Sequence, residues 1–160
     1  MARRTITAAE SIWVARPPGE VFAYTQDYAT RPDWDPVIRR AEILATDPLA
    51  VRVEAQGVGT YTVEYRLFRP GERTSAAFRD VASSWLAGGG GSWEYRARDG
   101  GTDWTQTNTL ELRHPRLLAL AAPLVERRLR DSMRTSMARA KAILEAAGGP
   151  SADESRATPG

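Results

Sequence analysis

The stretch that decides the fold is Pro123–Ala147, PLVERRLRDSMRTSMARAKAILEAA, followed by Gly148 and Gly149. Val125, Leu129, Met133 and Met137 recur at every fourth position, and Ala140, Ile143, Leu144 and Ala147 continue the stripe. Arg127, Arg128, Arg130, Arg134, Arg139, Lys141 and Glu145 fall mostly outside it. This is the 3.6-residue period of an amphipathic helix. Pro123 suits a first-turn position, where its missing N–H costs nothing, and the glycine pair ends the helix. At 1.5 Å per residue the helix is roughly 36 Å long, enough to cross a small domain. Its apolar stripe needs a surface to cover, and the rest of the chain must supply it.

That surface reads as a sheet. Thr5–Ala15 is a first strand, with Ile12 and Val14 on one face and Trp13 on the other. Arg16-Pro17-Pro18 stops it, because proline cannot donate to a ladder. Proline then opens a short helix, PPGEVFAYTQD, whose Val21, Phe22 and Thr25 can pack together. YATRPDWDPVI carries two more prolines and reads as a broken helix or loop anchored by Trp34 and Val37. Six further strands follow, over 40–45, 50–56, 60–69, 73–81, 92–98 and 102–113. Turn chemistry separates them at Gly57 and Gly59, at Pro70-Gly71-Glu72 and at Asp99-Gly100-Gly101. Short turns join antiparallel neighbours, so the class is α+β: seven strands, short helices after the first, and one long C-terminal helix. Residues 1–149 form one domain. Residues 150–160, PSADESRATPG, have no apolar periodicity and are expected to be a disordered tail.

Composition narrows the function classes. With 160 residues, 42% hydrophobic and 26% charged, the chain has room for one domain with a real core. No apolar run approaches the roughly 20 residues of a membrane span, and MARRTITAAE lacks the apolar block of a secretory signal, so the expectation is a cytoplasmic protein without stable membrane insertion. The formal net charge is only +2, and no arginine-dense segment interleaved with aromatics appears, which argues against nucleic acid as a partner. No cysteine is present, so disulfides and thiolate metal sites are excluded. His114 is the only histidine, at the junction between last strand and last helix, and reads as a turn residue. A zinc site or a nucleophilic triad has no residues to draw on, and no metal or cofactor is expected.

The segment ARPPGEVFAYTQDYATRPDWDPVIRRAEI resembles the opening of the polyketide cyclase/dehydrase-like proteins, an apolar strand followed by Pro, V-F, D and W-D-P. These belong to the START-like helix-grip (SRPBCC) superfamily. GVGTYTVEYRLF, the DGGTDWTQT hairpin and the terminal helix fall in the order that family has, so the resemblance spans about residues 5–147. It implies a curved seven-stranded antiparallel sheet gripping the last helix, with a hydrophobic cavity between them for an apolar or amphipathic small molecule. It implies pocket rather than reaction, since the family divides among cyclases, carriers, receptors and members of unknown function. It also makes Asp33 and Asp35 turn and capping residues rather than an acid–base pair.

Within that frame the last strand carries the strongest site signal. Thr102, Trp104, Gln106, Asn108, Leu110 and Leu112 share one face, apolar at both ends with two amides between. A buried amide without partners costs on the order of 1–3 kcal/mol, so Gln106 and Asn108 either face a wet or ligand-filled cavity or are turned outward by a bulge. Tyr61 and Tyr65 share a face of their strand, as do Trp93 and Tyr95, and aromatics with a polar tip suit a pocket as well as a core. Met133 and Met137 have the same double reading on the helix. The candidate ligand-binding residues are thus Tyr61, Tyr65, Trp93, Tyr95, Trp104, Gln106, Asn108, Met133 and Met137. Gly88–Gly91 lacks the flanks of a phosphate loop and reads as a bent strand or flexible loop near the cavity mouth, which Trp85 and Leu86 could cap. No catalytic residue is assigned. Two function classes stay open: a binder or carrier of a small apolar or aromatic molecule, acting as monomer or homodimer, and a cyclase/aromatase/dehydratase-type enzyme. The enzyme needs a poised acid or base in the cavity. The phenols of Tyr61, Tyr65 or Tyr95 could donate a proton, and Arg113 could hold an anionic head group if it turned inward.

Overall fold

The structure, a computed structural model, describes residues 4–148 apart from 115, 117 and 118. β1 (Arg4–Val14) leads into two short helices, α1 (Pro18–Gln26) and α2 (Arg31–Trp34). Six strands follow: β2 (Ile38–Thr46), β3 (Leu49–Ala55), β4 (Gly59–Arg69), β5 (Arg73–Ala82), β6 (Leu86–Arg98) and β7 (Gly101–Leu112). α3 (Ala122–Ala147) closes the described chain. All seven strands lie in one antiparallel sheet of order β1-β7-β6-β5-β4-β3-β2, in which only the β1–β7 pair is not sequential. The architecture is the helix-grip fold, a curved sheet holding one long helix. The tail at 150–160 lies outside the described residues.

Local chemistry accounts for most boundaries. Pro18 and Pro123 stand in the first turns of α1 and α3, and Gly148 caps α3. The β6–β7 hairpin turns on Asp99 and Gly100, both at positive φ (50° and 74°), as a two-residue turn of the primed type requires. β6 begins six residues earlier than the apolar pattern suggests, so Gly88–Gly91 is strand. A Cβ on Gly90 would collide with Ala76 O of β5, and one on Gly91 would lie 2.6 Å from Thr107 O of β7. The neighbouring backbones come too close for any side chain, and four glycines show no periodicity to read.

α3 is tied to β1 along its length. Glu10, on the inner face of β1, accepts from Arg130 Nη1 at 3.1 Å and from Arg134 Nε at 3.0 Å. Further on, Lys141 Nζ donates to Trp13 O at 2.7 Å, and Glu145 accepts from the Ala15 N–H at 2.9 Å. Of the apolar stripe, Met133, Met137, Ala140 and Leu144 are buried. Ile143 is half out in solvent, and Val125 and Leu129, nearer the N-terminus, are only half buried.

The apolar side chains form three separate groups. At one end Val14, Val21, Phe22, Trp34, Trp93, Tyr95, Trp104, Met137, Ala140 and Leu144 pack together, with α1 and α2 as the plug. Ile38, Val51, Val53 and Ala55 form a second group on β2 and β3, and Ile6, Leu112 and Ala122 a third with Trp85, Val125 and Leu129 against it. Between the three is empty space.

Candidate ligand-binding cavity

That space is a cavity of about 720 Å³, within the usual range for a small-molecule site. β3–β7 form its floor, Val125, Leu129, Ser132, Met133 and Ser136 of α3 its roof, and α2 one end. At the other end Gln56, Gly57 and Val58 of the β3–β4 turn meet Trp85, whose indole Nε1 donates to Gly57 O at 2.9 Å.

Of the residues expected to bind ligand, the cavity wall includes Tyr61, Tyr65, Trp93, Gln106, Asn108 and Met133. Gln106 is 3% exposed and stands opposite Trp93 across the β6–β7 ladder, while Asn108 stands opposite Gly91. The inner face of β7 therefore has the register expected of it. Neither amide makes a hydrogen bond among the described residues. Gln106 Nε2 is one of few buried side-chain polar atoms there without a partner. Tyr95, Trp104 and Met137 are corrections: they belong to the packed group under α1 and α2, not to the cavity wall. Phe22 packs edge-on against Tyr95 at 5.1 Å and Trp34 against Trp104 at 5.7 Å, filling the space a ligand would need. Arg113 points away from the cavity and is bound to Ser83 O and Leu86 O on the sheet rim. His114 is exposed, as a turn residue should be.

The residues the sequence did not point to come from α1, α2 and the link between them. Arg31 lines the cavity with its side chain only 14% exposed. Its guanidinium carbon sits 4.6 Å from the Trp34 ring centre and 4.5 Å from that of Trp93, so two neighbouring indoles lie against it. Its Nε donates to Asp35 Oδ2 at 3.1 Å, one helical turn on. Burial is the largest influence and works against the charge, but Asp35, Tyr28 and Tyr65 together outweigh it and hold the guanidinium more firmly protonated than usual. Asp35 is a turn residue, accepting from the Val37 N–H at 3.2 Å, and also the counter-ion of this buried cation.

Behind Arg31 runs a chain of hydrogen bonds with one direction. Thr25 Oγ1 gives its proton to Val21 O at 2.8 Å, so Tyr95 must donate to Thr25 at 2.8 Å. Gln26 Nε2 donates to Tyr95 at 2.9 Å, and Tyr65 donates to Gln26 Oε1 at 2.9 Å. Tyr28 therefore donates to Tyr65 at 2.7 Å. Burial of the phenols raises every one of them, Tyr95 to about 12 and Tyr28, Tyr61 and Tyr65 in the same direction, so all are neutral hydroxyls near pH 7. The cavity thus offers fixed dipoles and two cations, Arg31 paired with Asp35 and Arg128 on α3. Among the described residues no cluster of ligating side chains could hold a metal ion, and no helix is long and apolar enough to cross a membrane.

Comparison with known proteins bears on the whole assembly. Residues 5–145 match the family described as polyketide cyclase / dehydrase and lipid transport. A comparison with curated proteins finds no match. Among solved structures, the chain is similar to a protein of Thermus thermophilus (17% identity, 90% of this chain and 100% of the other, TM-score 0.76). It is also similar to the Zhui aromatase/cyclase of a Streptomyces species (16% identity, 89% and 94%, TM-score 0.74). A third likeness is to the di-domain ARO/CYC StfQ from the steffimycin biosynthetic pathway (16% identity, 91% of this chain, TM-score 0.74), of which the chain spans about half the length, 52%. At these identities the likeness is one of fold.

Proposed function

The chain belongs to the polyketide cyclase / dehydrase and lipid transport family, and from that premise we propose that it binds one small apolar or amphipathic molecule in the cavity between sheet and α3. The observation that carries this reading is a space of about 720 Å³, mostly apolar in its walls, whose lining includes Gln106 and Asn108, two amides with no protein hydrogen-bond partner among the described residues. A folded core closes such space or fills it, because voids and unsatisfied amides both cost stability. A ligand or ordered water resolves both costs at once. Tyr61, Tyr65, Trp93, Gln106, Asn108 and Met133 are the proposed contacts, joined by Tyr28 and Arg31.

An enzymatic reading of the same cavity needs a group that exchanges a proton near neutral pH. The phenols are pushed upward and Arg31 is held protonated, so the lining favours binding over acid–base chemistry. Native mass spectrometry of freshly purified protein tests the proposal. A co-purifying small molecule, or uptake of an environment-sensitive apolar fluorophore that Met133→Trp blocks by filling the cavity, supports it. A protein that arrives empty and takes up no apolar probe refutes it.

A further inference from the structure

The two edges of the sheet are treated differently. β1, at one edge, has α3 bound along it through Glu10, Trp13 O and the Ala15 N–H. β2, at the other, pairs with β3 on one side only. Its start is approached by the end of α2, where the Ile38 N–H donates to Asp35 O at 3.2 Å. Beyond that point no strand or helix of the described residues lies along it. A bare edge carries unpaired N–H and C=O groups that can take up another strand. Arg39, Arg40, Glu42, Ile43 and Leu44 are all exposed, the two aliphatic neighbours at 57% and 50%. Strand addition would cover both the backbone groups and these side chains.

The charges on this edge say which strand fits. Arg40 stands opposite Glu54 of β3 and Glu42 opposite Arg52, all on the outer face, while Ala41 and Ile43 stand opposite the buried Val53 and Val51. None of these four charged side chains makes a hydrogen bond or ion pair among the described residues. A closed dimer has two-fold symmetry, under which a strand edge meets its own copy antiparallel, with one residue facing itself. Arg40 facing Arg40, or Glu42 facing Glu42, sets like charges together. Ile43 facing Ile43 runs into the bulge between Ile43 and Ala45. Ala41 facing Ala41 leaves a small side chain on the axis and sets Arg40 of each copy opposite Glu42 of the other. The outer face then reads Glu54, Arg40, Glu42, Arg52 across the join, alternating in sign, with the reverse order in the next row. We propose that the β2 edge is a homodimer interface, in which two copies pair antiparallel about Ala41 and the two seven-stranded sheets become one. Bulges on either side of Arg40–Ile43 keep the pairing short. The interface therefore falls below the roughly 1,200 Å² of a stable complex, and the dimer is weak and concentration-dependent.

Sedimentation velocity of the full-length protein, from low micromolar to several hundred micromolar, tests this, with circular dichroism to confirm that each variant is folded. Wild-type protein should pass from monomer to dimer across that range. Arg40→Glu sets two carboxylates opposite each other on both sides of the axis, and Glu42→Arg sets two guanidinium groups there. Each should weaken self-association about tenfold or more. Mixed in equal amounts, the two variants should associate with each other about as tightly as wild type does with itself. In this register every carboxylate of one variant then meets a guanidinium of the other. Ile43→Lys changes an exposed side chain that the fold does not pack, so it serves if a charge variant fails to fold, and it too should weaken the dimer. Arg66→Glu, an exposed charge on β4, should leave association unchanged. A wild-type protein that stays monomeric throughout overturns the proposal. So does a dimer that survives Arg40→Glu, Glu42→Arg and Ile43→Lys, or a mixture of the two charge variants that recovers no association. None of these outcomes depends on whether the cavity holds a ligand.

Discussion

Replacing Tyr95 with Phe should cost more than replacing Tyr28 with Phe, although both remove one hydroxyl from the same chain. Tyr95 is 4% exposed and Gln26 is 8% exposed, and the Tyr95 hydroxyl both receives Gln26 Nε2 at 2.9 Å and donates to Thr25 at 2.8 Å. Without it the Gln26 N–H has no acceptor, and an unsatisfied buried donor costs about 1–3 kcal/mol. Thr25 loses little, because its own proton still goes to Val21 O. About 2 kcal/mol in a chain of this size corresponds to a melting temperature lower by about 4–8 °C. Tyr28 stands at the cavity end of the chain and only donates, to Tyr65. Its loss removes one hydrogen bond and strands no donor, so about 0.5–1.5 kcal/mol is expected. Urea and thermal unfolding followed by circular dichroism measure both.

The same chain has an alkaline signature. A phenol raised from 10.0 to about 12 by burial stays protonated in the folded protein while its unfolded counterpart ionises. Its contribution is therefore complete below pH 10 and lost as the pH rises from 10 towards 12. Tyr95→Phe should flatten the alkaline fall in stability over that window, on top of its cost at pH 7. The reasoning is refuted if Tyr95→Phe stays within about 0.5 kcal/mol of wild type, since burial of a stranded amide predicts more, or if Tyr28→Phe proves the costlier change.

Three further outcomes follow from the packing. Ala140 is fully buried against the Trp104 end of the core, so Ala140→Asp should prevent folding, whereas Leu129→Asp, on the half-buried cavity roof, should fold with a modestly lowered melting temperature and lose probe binding. Gly90→Val should lower stability by several kcal/mol, as read by urea unfolding, because the Ala76 carbonyl occupies the space of any Cβ. Glu145 is held below the ordinary glutamate value of 4.5, chiefly by Lys141 and then by the Ala15 N–H. Its contribution is present above that pH and lost as the pH falls through its folded value, so Glu145→Gln should shrink the acid-induced loss of stability below about pH 4.5.

Periodicity could show which way side chains face but not how deep they lie. The inner face of β7 was legible from the alternation of Thr102, Trp104, Gln106 and Asn108, and the stripe of α3 from its fourfold spacing. Alternation gave no means of telling Trp104 from Gln106, which share one face. What separates them is α1 and α2: Phe22 and Trp34 cover Tyr95 and Trp104, while Trp93, which Trp34 also touches, and Gln106 still reach the cavity. Met137 and Met133 divide in the same way, one turn of α3 apart. The polar residues that matter most were hidden for a related reason. Arg31 and Asp35 stand in a proline-broken segment with no face to read, and the partners that give Tyr28 and Arg31 their roles, Tyr65 and Trp93, are supplied by distant strands. The spacing of Arg31 and Asp35 by four residues on either side of Trp34 was the one local signal, an i,i+4 ion pair beside an aromatic ring. A cation in that position has two indoles and a counter-ion against it, all of them supplied by residues that periodicity does not connect, and it still lines the cavity.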